Sequence, residues 1–131
     1  MSTVSQAYKL PKLRVYYAHS KAIYHKPQEK RDIILLNDLG FDVINPSDEN
    51  HERLCKAWPD GAMAYFEHVV KDCQLLAFRA HADGNIGAGV VCEIDWAIEA
   101  GMPIIELPSR MLQRRLSLAQ TREYLAEVGE R

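Results

Sequence analysis

Residues 74–107 read QLLAFRAHADGNIGAGVVCEIDWAIEAGMPIIEL, and this stretch contains a complete strand–loop–helix–strand unit. Gln74 to Phe78 is a short apolar run bounded by polar residues, as expected of a buried strand. Arg79 to Gly87 is polar and glycine-bearing and reads as a loop. Val90 to Ala100 carries apolar residues at helical spacing, and Gly101 stops it. Pro103 to Leu107 is a second strand. A helix between two such strands argues for parallel pairing through a right-handed crossover.

Working outward, the same alternation continues. Ala62 to Asp72 reads as a helix with Met63, Phe66, Val70 and Cys73 toward the core. Ser47 to Gly61 is the least defined stretch; it holds a helical turn around His51 to Cys55 and has the length of a lid or binding loop. Phe41 to Ile44 is a strand closed by Asn45-Pro46. Glu29 to Leu39 is a helix with Ile33, Leu36 and Leu39 inward, Pro27 near its start and Gly40 at its stop. Leu13 to Ala18 (LRVYYA) is the first strand. From Pro108 onward the pattern is helical, with Leu112, Leu116, Tyr124, Leu125 and Val128 as apolar contacts. The order β-α-β-α-β-α-β-α predicts a parallel sheet covered by helices on both faces. Ligands of such folds bind at the carboxyl ends of the strands where strand order reverses. Ala18-His19-Ser20 and Ala80 to Gly89 must then border that site.

Composition narrows the classes. The chain has 131 residues, 47% hydrophobic and 26% charged, which fits one folded domain over residues 1–131 and excludes global disorder. Residues 1–11 are expected to be a flexible N-terminal segment. No apolar run approaches a membrane span, and the N-terminus lacks an apolar signal core, so a cytoplasmic protein without membrane attachment is expected. Sixteen Lys plus Arg against eighteen Asp plus Glu leave a formal charge of −2, which argues against a nucleic-acid polymer as partner. Arg110, Arg114 and Arg115 read as a solvated helix face. Three cysteines (Cys55, Cys73 and Cys92) with no close pair do not make a disulfide framework and suit a reducing compartment. His51 and Cys55 lie four apart but lack a second pair of ligands, so no metal site is expected.

The segment Asp83 to Ala97 (DGNIGAGVVCEIDWA) is the densest in chemical groups. Gly84, Gly87 and Gly89 precede a helix whose first N–H groups are unpaired, a place for backbone to approach a ligand closely. The spacing matches neither the dinucleotide fingerprint nor a P-loop. Val90, Ile94, Ala97, Ile98 and Gly101 form one inward stripe, and Glu93 falls about 60° from Val90, on its border. Cys92, Asp95 and Glu99 fall on the outer face. Glu93 is therefore expected beside the core in the first helical turn, its ionised form favoured by the helix N-terminus. Such a carboxylate suits a nucleophile or general base, and equally a mere complement to the helix dipole. Glu67 borders the apolar face of its helix and Asp72 lies nearer the third strand. Either is a candidate second acid, and a surface ion pair with Lys71 is the plain alternative for Glu67. Tyr16 and Tyr17 point to opposite faces of the sheet. His19 and Ser20 end the first strand; Ser20 suits a sugar or phosphate oxygen, or simply a turn cap. Arg79, His81 and Asp83, in the loop after the third strand, are further candidates for substrate contact.

The combination of VYYAHS (Val15 to Ser20), GFDVINP (Gly40 to Pro46) and GAGVVCEIDWA (Gly87 to Ala97) followed by GMPIIEL resembles the nucleoside 2-deoxyribosyltransferase-like superfamily, over roughly residues 12–107. That superfamily also includes hydrolases cleaving the N-glycosidic bond of nucleoside 5′-monophosphates. The resemblance implies a flavodoxin-like (Rossmann-like) three-layer α/β/α fold with a four- to five-stranded parallel sheet, in a homodimer or higher homo-oligomer. It implies that Glu93 attacks the anomeric carbon, that Tyr16 positions Glu93, that Glu67 is the nearest match to an acid handling the base, and that Ser20 contacts sugar or phosphate. Gly87 and Gly89 belong to the same ligand-facing loop. No metal or organic cofactor is implied, and the partner is a small nucleoside or nucleotide. Ala88 stands where many nucleotide-selective members carry Ser, and Gln74 where Asp or Asn is usual, so substrate preference stays open. Hydrolase and transferase outcomes differ only in whether water or another base ends the cycle. A non-catalytic nucleotide-binding module on the same fold is the alternative. A third reading is an interaction domain with Trp96 at an oligomer surface.

Overall fold

The structure, a computed structural model, describes residues 12–108. The N-terminal segment 1–11, the helix expected beyond Pro108 and its arginine cluster lie outside the described residues. The elements are β1 (Arg14–Ala18), α1 (Pro27–Asp38), β2 (Asp42–Ile44), α2 (Glu49–Ala57), α3 (Ala62–Lys71), β3 (Leu75–Phe78), α4 (Ala88–Glu99) and β4 (Ile104–Glu106), with a 3-10 turn at Lys21–Ile23. All strand pairs are parallel, in the order β2-β1-β3-β4. β1 therefore lies beside both β2 and β3, and the chain's direction of travel across the sheet reverses between β1 and β3. That is the ligand-binding edge expected of an open α/β sheet.

Two apolar layers sandwich the sheet. Tyr16, Ala18, Leu76, Val70, Val90 and Ala97 pack together on the α3–α4 face. Val15, Tyr17, Leu75, Ala77 and Leu36 pack on the α1 face. The period-two alternation of β1 thus sends its neighbouring tyrosines to opposite layers. Gly40 and Gly101, which follow α1 and α4, take φ of 94° and 69°. Glycine adopts that left-handed conformation without a Cβ penalty, so both helices stop where the sequence places the glycine.

Several sequence expectations need correction. Leu39, Met63 and Ile98 are not core residues: they are 61%, 61% and 62% exposed. Each sits at or next to a helix end. Tyr65, not Met63, is the buried residue at the start of α3. The region around His51 is a nine-residue helix, capped by the Asp48 side chain accepting from the Asn50 amide. None of its residues is buried. Buried on α1, by contrast, are two carboxylates, Glu29 and Asp32, beside Leu36. Among the described residues no helix is long and apolar enough to cross a membrane.

Candidate active site

A cavity of about 440 Å³ opens at the carboxyl ends of the strands. His19 and Ser20 reach it from the end of β1, and Pro46 from the end of β2. Gly87, Ala88, Gly89 and Val90 border it from the start of α4. Met63, Phe66 and Trp96 give it an apolar wall, while Lys21, Tyr24, Cys92 and Glu93 add polar groups. Of the two segments expected at the switch point, His19 and Ser20 of the first and only the last three residues of the second, Gly87 to Gly89, line the cavity.

Glu93 is the carboxylate of this cavity. The Tyr16 hydroxyl donates to Glu93 Oε2, linking β1 to α4 across the α3–α4 face of the sheet. α4 begins at Ala88, two residues earlier than the sequence suggests, so Glu93 lies in the second turn and not the first. The helix-terminus effect fades within one turn. Burial governs instead: it pushes the Glu93 carboxyl up to about 7, against the opposing hydrogen bond from Tyr16. The expectation that the helix N-terminus favours the ionised form is thus overturned. Tyr16 itself is raised well above 10 by burial, and further by the Glu93 charge and hydrogen bond, so it stays a neutral donor. A carboxylate near 7 with a fixed phenol donor is poised between nucleophile and acid at neutral pH.

The α4 N-terminus supplies the second feature. Gly87 caps it with no side-chain hydrogen bond, and the first helical amides have no carbonyl a turn behind them. A Cβ placed on Gly89 would meet no atom within 4 Å. The space beside Gly89 is open, which leaves room for a ligand.

The remaining sequence candidates divide. Ser20 lies on the cavity, its hydroxyl accepting from the Ala22 amide at 3.1 Å as a turn cap. His19 borders the cavity but has both ring nitrogens engaged, Nδ1 with the Tyr17 carbonyl at 2.9 Å and Nε2 with Glu29 at 2.7 Å. It is therefore not placed to bond a substrate. Glu67 does not reach the cavity. It accepts from Lys71 at 2.7 Å, one turn along α3, and Lys71 also bridges to Glu99. Asp72 pairs with Arg14 at 3.1 Å, at the start of β1 and so at the opposite edge of the sheet. Arg79 turns to the α1 face, where it clamps Asp32 at 3.0 and 2.5 Å and donates to the Pro108 carbonyl. Asp83 caps its own exposed turn by accepting from the Asn85 amide at 2.9 Å. Cys92 corrects its expected outer position, because it lines the cavity; Trp96 lines the cavity as well and packs against the core.

Sequence reasoning missed Tyr24, Lys21 and the buried carboxylates of α1. Tyr24 is an aromatic inside an otherwise polar stretch, and the period gives it no signal. Its phenol is raised by burial and then by the Glu93 charge, so it too stays neutral beside the cavity. Glu29 and Asp32 did have a signal. Glu29, Asp32, Ile33 and Leu36 follow the i, i+3, i+4, i+7 spacing of one helix face, which counting apolar residues alone conceals. Burial would raise the Glu29 carboxyl, but hydrogen bonds from His19, Ser47 and the His25 amide outweigh it and hold Glu29 below the usual carboxylate range.

No protein-family model matches the chain, and a search of curated proteins finds no significant match. A solved structure, the CMP N-glycosidase BcmB of Clostridium botulinum, is similar at 21% identity and a TM-score of 0.47, covering 88% of this chain and 98% of that one.

Proposed function

We propose that this chain cleaves or transfers the N-glycosidic bond of a nucleoside or nucleoside 5′-monophosphate, with Glu93 as nucleophile. One observation carries the reading: the cavity at the switch point contains a largely buried carboxylate fixed by a phenol donor. In this reaction Glu93 Oε attacks the anomeric carbon as the carbon–nitrogen bond breaks. The bonding pair leaves with the base, which takes a proton from water. Water then attacks the same carbon and frees the carboxylate, giving hydrolysis; a second base in its place gives transfer. The transition state is oxocarbenium-like, and a carboxylate held in a site of low polarity stabilises its charge strongly. Met63, Phe66 and Trp96 supply a surface for a flat base. Ser20, Lys21 and the open α4 start at Gly87 and Gly89 suit the sugar and its 5′ oxygen substituents. Glu67, tied to Lys71, has no part in the proposed reaction.

The test is release of free base from ribo- and deoxyribonucleosides and their 5′-monophosphates, separated by chromatography, with and without an acceptor base. Wild type should release base from at least one class, and Glu93→Gln should do so at least about a thousandfold more slowly, roughly 4 kcal/mol of lost transition-state stabilisation. Binding of a nucleotide without release by folded wild type would replace this reading with that of a binding module.

Tyr16→Phe separates the two partners of the site. Without its donor, the ionised Glu93 loses a charge-assisted hydrogen bond, so its pKa rises further. The acid limb of kcat/KM, set near 7 by Glu93 in wild type, should move to higher pH. The rate at pH 7 should fall about tenfold, consistent with the loss of one such bond. An unmoved limb would show that Tyr16 does not support the reacting form.

A further inference from the structure

Residues 19–25 form the cavity wall at the end of β1, and both ends of this loop are bound to one carboxylate. Glu29 Oε2 accepts from His19 Nε2 at 2.7 Å and from Ser47 Oγ at 2.8 Å. Glu29 Oε1 accepts from the His25 amide at 3.1 Å. The loop needs such closure, because His25 sits at φ 62°, the left-handed region that a residue with a Cβ occupies reluctantly. The His19 ring lies stacked on Tyr17 at 3.8 Å and tilted against Tyr24 at 4.8 Å, so its placement sets that of the Tyr24 phenol. Every buried side-chain polar atom among the described residues is satisfied, these included. Both Glu29 oxygens are engaged within the loop network, and Glu29 does not border the cavity.

We infer that Glu29 is a positioning residue, whose carboxylate closes the 19–25 loop and thereby holds Ser20, Lys21 and Tyr24 at the cavity for the substrate. Its link to substrate rests on the proposed glycosidic reading; its hold on the loop does not. A general stabilising role would slow exchange and support activity evenly, whereas a loop clamp acts on one wall only.

The experiment is amide hydrogen exchange on wild type and Glu29→Ala, joined to steady-state kinetics on whichever substrate wild type cleaves. Amides of residues 20–26 should exchange at least about tenfold faster in the variant, the effect of losing charge-assisted hydrogen bonds. Amides of α3 and α4 should keep their wild-type rates. KM should rise by a similar factor while kcat changes little. Unchanged exchange at 20–26, or an equal acceleration in α3 and α4, overturns the inference; so does a loss confined to kcat. If Glu29→Ala does not fold, Glu29→Asp, one methylene too short to hold both loop ends, is read by the same criteria. If wild type cleaves nothing, the glycosidic reading fails by itself and the exchange pattern still decides the clamp.

Discussion

Glu93→Gln should be more stable than wild type at pH 8, by up to about 3 kcal/mol, and nearly equal to it at pH 4.5. Glu93 titrates near 7 in the folded protein against an ordinary value of 4.5. The folded state thus holds the proton more tightly than the unfolded chain. The stability tied to that proton is fully present below pH 4.5 and is lost as pH rises through 7. A shift of that size corresponds to about 3 kcal/mol between the two limits. Glutamine carries no proton to lose, and its Oε can still accept from Tyr16. Urea unfolding of both proteins at several pH values between 4.5 and 8 checks this: the two stabilities should diverge across that window. Parallel profiles would mean that Glu93 is not held in an unfavourable setting. A side chain that weakens the fold in its charged form is what a site built for reaction would contain.

The second large effect lies on the other face of the sheet. Asp32 is 2% exposed, accepts from the Tyr17 hydroxyl at 2.5 Å and is clamped by Arg79. Asp32→Ala would leave a mostly buried guanidinium and a buried phenol without their acceptor. Breaking one side of a buried pair costs about 3–5 kcal/mol, which in a chain of this size lowers Tm by roughly 10–20 °C. Calorimetry of Asp32→Ala beside Glu67→Ala makes the contrast. The second variant removes only an exposed pair with Lys71, and its Tm should scarcely move. Similar melting of the two would show that the Asp32 network contributes no more than a surface contact.

The contrast between these two carboxylates also explains what the sequence makes legible. β1, β3 and α4 are plain because short β-rich runs and glycine stops are local signals. Strand alternation separated Tyr16 from Tyr17 and the helical period put Glu93 on the border of α4, but neither said which tyrosine meets Glu93; that pairing was implied only by the family resemblance. The role of Glu67 was not readable, since a border carboxylate beside a lysine one turn away looks the same whether it faces a cavity or solvent. Arg79 was misplaced for a related reason: which face a loop residue turns to depends on a partner 47 positions away, on α1. Asp32 and Glu29 were overlooked because a polar residue on an apolar stripe signals a buried network only once its partners are in view. α2 buries no residue and packs mainly on α3; it is short and rich in charged residues, so a count of apolar positions marks it only weakly.

Tyr16 and Tyr17 are joined by one peptide bond, yet each belongs to a different half of the molecule. Tyr16 ends on the carboxylate of the cavity, and Tyr17 on the ion pair that ties α1 to the sheet. Heritable change along β1 is therefore sorted by parity. Under the proposed reaction, substitution at position 16 is screened through turnover as well as folding, and substitution at 17 through survival of the folded chain alone. A single-residue insertion or deletion before this pair would exchange the two phenols and be penalised on both counts. A mutational library at these two positions should accordingly show activity lost beyond abundance at 16, and activity lost only in step with abundance at 17.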